Sequence, residues 1–318
     1  MGDIARLVGQ RLGLGLIILL VISAIIFFMV EALPGDIAQA VLGQGATEEN
    51  LAALRKEMGL DQPAIVRYFG WLSNAVTLDF GNSIVTQTPV TEVIGERFTN
   101  TLFLAAYAAV IAVPVSIILG VLVALLRNSI FDRVANVVTL TFISSPEFFL
   151  GYILILYFAV QWGMFPAIAS LSEGMSFLEL LQRTFLPALT LVLVVMAHMM
   201  RMTRAAIINL LASPYIEMAR LKGAPPWKVI VKHALPNAWA PIINVVALNL
   251  AYLITGVVLV EVVFVYPGIG QALVDAVSKR DFPVVQASCL IFAATYILLN
   301  LAADVGAILT NPRLRHPK

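Results

Sequence analysis

Four ionisable side chains stand where the sequence is otherwise apolar. Glu147 follows Ser144-Ser145-Pro146 in a long hydrophobic run, Glu261 and Asp304 lie nearer the ends of two others, and His198 precedes Arg201 and Arg204 by about one turn. A carboxylate in such a place walls a path for a polar solute, relays a proton, or is satisfied by a neighbouring helix. Ser145, Pro146 and Glu147 are candidates for a path wall, because an internal proline kinks a helix and frees carbonyls, and the acid can then meet a solute amine. Glu261 joins them as a path candidate, with a structural role for it and for Asp304 as the preferred reading. His198 reads as a hydrogen-bonded interior residue.

Catalytic and metal chemistry find no matching pattern. There is no G-x-x-x-x-G-K-[ST] phosphate loop, and Gly268-Ile269-Gly270 lacks its lysine and reads as a turn. Neither G-x-S-x-G nor H-E-x-x-H occurs, and Ser144, Ser145 and His198 are too weak a set for an intramembrane nucleophile. His198, His233 and His316 are too widely spaced for a metal site. The single cysteine, Cys289, excludes an internal disulfide and reads as a small buried hydrophobe.

The elements that must position these residues are membrane helices. Of 318 residues 60% are hydrophobic and 12% charged, against about 25% charged in a soluble domain. A crossing needs about 20 mostly apolar residues. Six runs qualify: 12–30, 101–126, 134–161, 186–200, 239–264 and 284–309, the fourth being short if it stops at Arg201. The first is longer than the apolar part of a cleaved signal peptide, about 7–15 residues, and is expected to be a retained helix. Six spans put both termini on one side. With the N-terminus cytoplasmic, 13 of the 20 Lys and Arg are cytoplasmic, from Arg6 and Arg11 to Arg313, Arg315 and Lys318. The positive-inside rule therefore selects N-in and C-in. The expected fold is an all-α polytopic membrane protein of six transmembrane helices.

Between the first two runs lies a polar external segment. Thr47 is a plausible N-cap for a helix carrying Leu51, Leu54 and Met58 and closed by Gly59; Asp61-Gln62-Pro63 opens a second helix through Trp71 and Leu72. Leu78-Asp79-Phe80-Gly81-Asn82-Ser83 reads as a turn. This cap either docks an external partner or only covers the bundle. On the cytoplasmic side, residues 213–236 read as helix, glycine turn, helix. Ser213 caps, Pro214 fits the first turn, Glu217 faces the positive helix end and Arg220 and Lys222 the negative one, and Gly223 suits the left-handed closing position. Pro225-Pro226 then opens a second short helix that Pro236 stops. A rigid elbow of this kind can push on a partner, whereas a floppy loop cannot; composition alone favours an ordinary amphipathic linker. Gly120, Ala247 and Gly256 fit close helix packing.

The elbow resembles the cytoplasmic signature of permeases in binding-protein-dependent ABC importers: Glu-Ala-Ala, three residues, Gly, nine residues, an aliphatic residue, any residue, Leu-Pro. Here it runs Glu217-Met218-Ala219, Gly223, then His233-Ala234-Leu235-Pro236, with Met218 and His233 as departures. The His is usual in the dipeptide, oligopeptide and nickel branch, and a dipeptide-permease B-type subunit is the nearest resemblance. Leu33-Pro34-Gly35-Asp36, Gly59-Leu60-Asp61-Gln62-Pro63, Arg280-Asp281-Phe282-Pro283, Tyr266-Pro267-Gly268-Ile269-Gly270 and Asn311-Pro312-Arg313 extend it over nearly the whole chain.

The resemblance implies a type I ABC importer permease fold in a bacterial inner membrane, without an ATPase site of its own. It implies a second homologous permease (a heterodimer), two cytoplasmic ATPase subunits that bind the ATP and Mg, and an external solute-binding protein. It further implies that the elbow (Glu217, Ala219, Arg220, Lys222, Gly223, His233, Leu235, Pro236) docks on an ATPase, with no cofactor or metal on this chain. The expected divisions are 1–31 (cytoplasmic N-terminus and first helix), 32–100 (periplasmic region), 101–310 (membrane core with the elbow 213–236) and 311–318 (cytoplasmic tail). Short peptides are the expected cargo; nickel, a metal chelate or another small solute is the alternative. A proton-coupled secondary transporter is the rival mechanism, for which no internal repeat is found.

Overall fold

A computed structural model of the chain describes residues 2–32, 46–57, 60–172 and 174–310. Among these, regular structure is helical apart from one isolated antiparallel bridge, Asn82 to Pro89. The motif Leu33-Pro34-Gly35-Asp36, the expected helix stop at Met58 and Gly59, the side chain of Asp304 and the tail 311–318 lie outside the described residues.

Helix α1 (Gly2–Glu31) contains the first expected run and packs on the rim, with Leu12, Leu16 and Ile25 exposed. Helices α2 (Glu48–Glu57) and α3 (Ala64–Val76) form the external cap. Thr47 does cap α2, its Oγ1 accepting the amide of Asn50 at 3.3 Å. The expected turn follows, with Leu78 at φ 62° and Gly81 at φ 73°. Helix α4 (Val90–Leu125) then begins well before the run that marked it.

The third expected span is not one helix. Helix α5 (Ile130–Ser144) and helix α6 (Glu147–Leu154), the latter continued by a π-helical stretch Ile155–Gln161, meet at 105°. A residue before proline is pushed out of the helical region, and Ser145 accordingly takes ψ 132° while Pro146 takes ψ 140°. The proline therefore breaks the span instead of kinking it. The two halves still make one crossing. Asp132 near the start of α5 is bonded to Arg204 toward the cytoplasmic end of α8, whereas Ala169 beyond α6 donates to the Phe264 carbonyl at the opposite end of α10.

After the short α7 (Phe177–Arg183), helix α8 (Phe185–Leu211) extends the fourth run past Arg201 and Arg204 to a full crossing. Helix α9 (Pro214–Leu221) follows, then a helical turn Pro226–Lys228 and a π-helical turn Val229–Ala234 that run into α10 (Leu235–Phe264). Pro236 thus does not stop the second elbow helix. The amide of Leu235 already reaches Ile230, five residues back, so the missing donor and the ring of Pro236 fall in the first turn of α10, where the bonding register has changed. Helices α11 (Ile269–Lys279) and α12 (Phe282–Thr310) complete the chain. By length and composition α1, α4, α8 and α12 each suffice to cross, and with the broken α5–α6 pair and α10 they make up the six expected.

The centre is α8, packed along α4 and α10. Small residues set the spacing: a Cβ on Gly120 would stand 2.7 Å from Thr203 Cβ and 3.0 Å from the Met200 carbonyl. At the external end, Glu261 ties three elements together. It is completely buried; its carboxylate accepts from Thr101 Oγ1 on α4 (2.6 Å) and from the amides of Gly270 (2.7 Å) and Gln271 (3.1 Å) at the head of α11. Gly268-Ile269-Gly270 is accordingly more than a turn. A Cβ on Gly268 would lie 2.0 Å from a Glu261 oxygen, so only glycine lets the loop close over the acid. We predict that Gly268→Ala destabilises the purified permease by about 1–3 kcal/mol through overpacking. Glu261→Ala should cost at least as much, because it strands the amides of Gly270 and Gln271 at about 1–3 kcal/mol each. Thermal unfolding in detergent measures both, with Gly95→Ala, which meets no atom within 4 Å and lies inside helix α4, as a control that loses no stability.

Candidate functional site

The cytoplasmic elbow is built from its ends inward. Pro214 occupies the first turn of α9, where a missing N–H costs nothing. Ser213 stands at the N-cap position, but its hydroxyl donates back to the Leu210 carbonyl and does not cap α9 as expected. At the other end Gly223 takes φ 79°, and the amides of Gly223 and Ala224 return to the carbonyls of Arg220 (2.9 Å) and Ala219 (3.2 Å). This double closure is the Schellman arrangement that the glycine predicts. A Cβ at 223 would touch nothing within 4 Å, so the sign of φ alone requires glycine.

One side of the elbow is anchored. Ile216 of α9 and Val229 and Ile230 of the following turns are buried in a cluster with Ala124, Ile207 and Ile242, which joins the elbow to the ends of α4, α8 and α10. Burying such side chains stabilises by about 1.5–3 kcal/mol each. The other side is bare: Tyr215, Met218, Leu221 and Trp227 are between 43% and 76% exposed, beside the exposed Glu217, Arg220 and Lys222. A cluster of exposed apolar side chains at the cytoplasmic end marks a contact surface. Ala219, His233 and Leu235 are half-buried and Pro236 is exposed, so the expected elbow residues split between anchor and surface. Tyr215, Leu221 and Trp227 were not singled out by the sequence reading; apolar residues among charges on so short a helix were the available signal.

A second link lies just above. Asp132, 4% exposed, is held by Arg204 through Nε and Nη2, both at 2.9 Å, and by the Asn128 amide (2.9 Å) and Asn136 Nδ2 (2.7 Å). Ser129 Oγ accepts the Asp132 amide and caps α5. This ion pair fixes the lower half of the broken span to α8, close to the elbow. Sequence reasoning missed it, although Ser129 followed by Asp132 is a capping pattern.

The break itself carries the path candidates. Glu147 opens α6, half-buried, and its Oε1 accepts the Tyr252 hydroxyl of α10 at 2.6 Å. A Cβ on Gly256 would lie 3.2 Å from the Tyr252 ring, so the glycine gives that ring its place beside Glu147. The Ser145 hydroxyl donates to the Thr141 carbonyl (2.8 Å), and Pro146 is exposed. The structure thus brings Ser145, Pro146 and Glu147 together with Tyr252, which the sequence reading had not paired. It does not bring Glu261 to them: that acid is enclosed at the α11 head, its oxygens taken by the chain's own donors. His198, expected in the interior, is exposed on α8 with Arg201 and Met202.

This chain has parallels among known proteins. The family model described as "Binding-protein-dependent transport system inner membrane component" matches residues 116–316, and that for the N-terminal part of such components matches 4–105. The glutathione transport system permease protein GsiC of Escherichia coli (strain K12) is 38% identical over 304 residues, 95% of this chain and 97% of GsiC. GsiC of Salmonella typhi matches to the same extent. A chain in a solved structure of inward-facing conformations of the MetNI methionine ABC transporter shares the fold, with a TM-score of 0.50 over 70% of this chain and 96% of that one at 20% identity. The fold is that of a transport component of the membrane, and the chain belongs to the family of binding-protein-dependent transport system inner membrane components. It is the permease subunit of an ABC importer, multi-pass in the bacterial inner membrane, and importers of this class work with ATPase and binding-protein partners.

Gly223→Val should disfavour the elbow's closing turn by about 1–2 kcal/mol. The expected outcome is reduced ATP-driven transport with unchanged assembly of the membrane helices, read by uptake and by size-exclusion profile of the same preparation. Normal uptake in that variant would remove the elbow from coupling.

Proposed function

We propose that this chain forms half of a translocation pathway for short peptides, paired with a second homologous permease and driven by two ATPase subunits that bind ATP and Mg. The observation that carries the cargo is the 38% identity to a glutathione permease over nearly the full length of both chains. Glutathione is a tripeptide; its first amide runs through the glutamate γ-carboxyl, but like short peptides in general it presents an ammonium, amides and a terminal carboxylate.

In this reading each ATPase receives the apolar face of an elbow, with Tyr215, Leu221 and Trp227 as anchors and Glu217, Arg220 and Lys222 around them. ATP-driven closure moves the elbow, and the anchored cluster passes that movement to the cytoplasmic ends of α4, α8 and α10. The paired permeases then alternate between inward-open and outward-open states, with nucleotide supplying the bias. Glu147, steadied by Tyr252, offers its second carboxylate oxygen to a peptide ammonium at the break in the third crossing. The exposed external cap is where the binding protein releases its load.

The test uses the permease co-expressed with its partner permease, ATPases and binding protein, reconstituted in liposomes. ATP-dependent uptake of a labelled dipeptide or of glutathione, requiring the binding protein, is the expected result. Nickel uptake in place of peptide would overturn the cargo while leaving the importer intact. Glu147→Gln should raise the KM for peptide about tenfold, the equivalent of about 1.4 kcal/mol, with less change in turnover. An unchanged KM would take Glu147 off the path.

A further inference from the structure

A cavity of about 300 Å³ opens at the external end of α1, between α1, α3, the loop at Ile84 and the start of α12. Its wall is aromatic, with Phe27, Trp71 and Phe282, and its polar groups include one fixed pair of opposite charges, Glu31 and Arg67. Arg67 Nη2 bonds Glu31 Oε1, and Arg67 Nε donates to the Gln62 carbonyl at 3.2 Å. The side chains keep only 16% and 32% of their surfaces exposed. Among the described residues, Arg67 Nη1 and Glu31 Oε2 are left with bonds still to make. Trp71 Nε1 is buried with no acceptor among the described residues. The proposed function uses none of these groups.

The depth of the cavity says what chemistry can reach it. Glu31 ends the apolar stretch Val8–Glu31, which places it at the boundary between hydrocarbon and headgroups on the external side. Below it, Phe28, Ile25 and Val21 form a neighbouring stripe of α1 at helical spacing that begins one turn beneath Glu31, and they are 40%, 52% and 53% exposed. A polar cavity bearing one anion and one cation therefore sits directly above an open apolar track on the rim of the bundle.

We infer that this cavity binds the headgroup of a zwitterionic phospholipid of the outer leaflet, phosphatidylethanolamine, with its ammonium on Glu31 and its phosphate on Arg67. One acyl chain runs down the track of Phe28, Ile25 and Val21. The primary ammonium matters, because it donates hydrogen bonds to a carboxylate and a quaternary choline does not. Phosphatidylglycerol would set an uncharged glycerol against Glu31. Bound here, the lipid bridges α1, α3 and α12 and fastens the external cap to the membrane helices.

The assembled importer, purified and exchanged into mixed micelles of defined lipid, is examined by native mass spectrometry for retained phospholipid. Retention of phosphatidylethanolamine about tenfold over phosphatidylglycerol is expected, the scale of one charge-assisted hydrogen bond. Glu31→Gln, which still accepts a bond from Arg67, should bring phosphatidylethanolamine down to the level of phosphatidylcholine. Arg67→Ala should lower both. Equal retention of ethanolamine and glycerol lipids in the unaltered importer, or an ethanolamine preference that survives Glu31→Gln, would overturn the proposal. So would competition by soluble glycerophosphoethanolamine as strong as that of the lipid, which would make the cavity a solute site. None of these readouts depends on the transported cargo.

Discussion

Inside the hydrocarbon layer a backbone amide or carbonyl has no water to bond, so every break in a helix must be repaired by the protein itself. That constraint organises this chain. It breaks its third crossing at Ser145-Pro146, widens to π-helical bonding at Ile155–Gln161 and Val229–Ala234, and turns back at Gly268-Ile269-Gly270. At the last of these, specific groups make the repair. The Glu261 carboxylate takes the amides at the head of α11, and Thr101 Oγ1 takes the amide of Ile269 at 2.9 Å. Tyr266 donates to the Asn100 carbonyl, and Asn100 Nδ2 returns to that of Pro267.

The repairs leave the two ends of the bundle different in kind. The external end is knotted by buried polar bonds among α4, α10 and α11, while Asp281 at the start of α12 holds the Ser83 hydroxyl and the Ile84 amide of the cap. The cytoplasmic end is held by apolar packing around Ile216, Val229 and Ile230 and by the Asp132–Arg204 pair. Packing of this sort transmits displacement, because a filled core deforms little. In the proposed mechanism an elbow closed by Gly223 and seated in that cluster moves with the ends of the helices it touches. The broken third crossing gives them somewhere to move, since α5 and α6 are separate rods joined at Ser145-Pro146.

Much of this was legible in the sequence, for reasons that differ from element to element. Six apolar runs and the distribution of Lys and Arg give the crossings, because the bilayer imposes length and composition directly. Thr47, Pro63 and Gly223 announce helix ends through local backbone chemistry, and each stands where that chemistry puts it. Pro146 marks the place of the break but not its 105° angle, which neighbours on α8 and α10 decide. Pro236 misled, since nothing local signals the π-helical turn that absorbs it. Glu261 and Asp132 find their partners Thr101 and Arg204 far along the chain, so their enclosure is a property of the tertiary structure. Tyr252 was invisible as the partner of Glu147 for the same reason.

The central claim is that the elbow and the cytoplasmic ends of the helices behave as one rigid body. It is tested most directly by pulsed electron spin resonance between nitroxides at Leu221→Cys and Asn244→Cys, both on exposed positions, with Cys289→Ser removing the native thiol. The assembled importer is measured without nucleotide and with nucleotide trapped. The account predicts the same narrow distance distribution in both states, while the distance from Leu221→Cys to its counterpart on the partner permease changes. A shift or broadening of the distance within the chain on trapping nucleotide would show a hinge at the elbow and contradict the account.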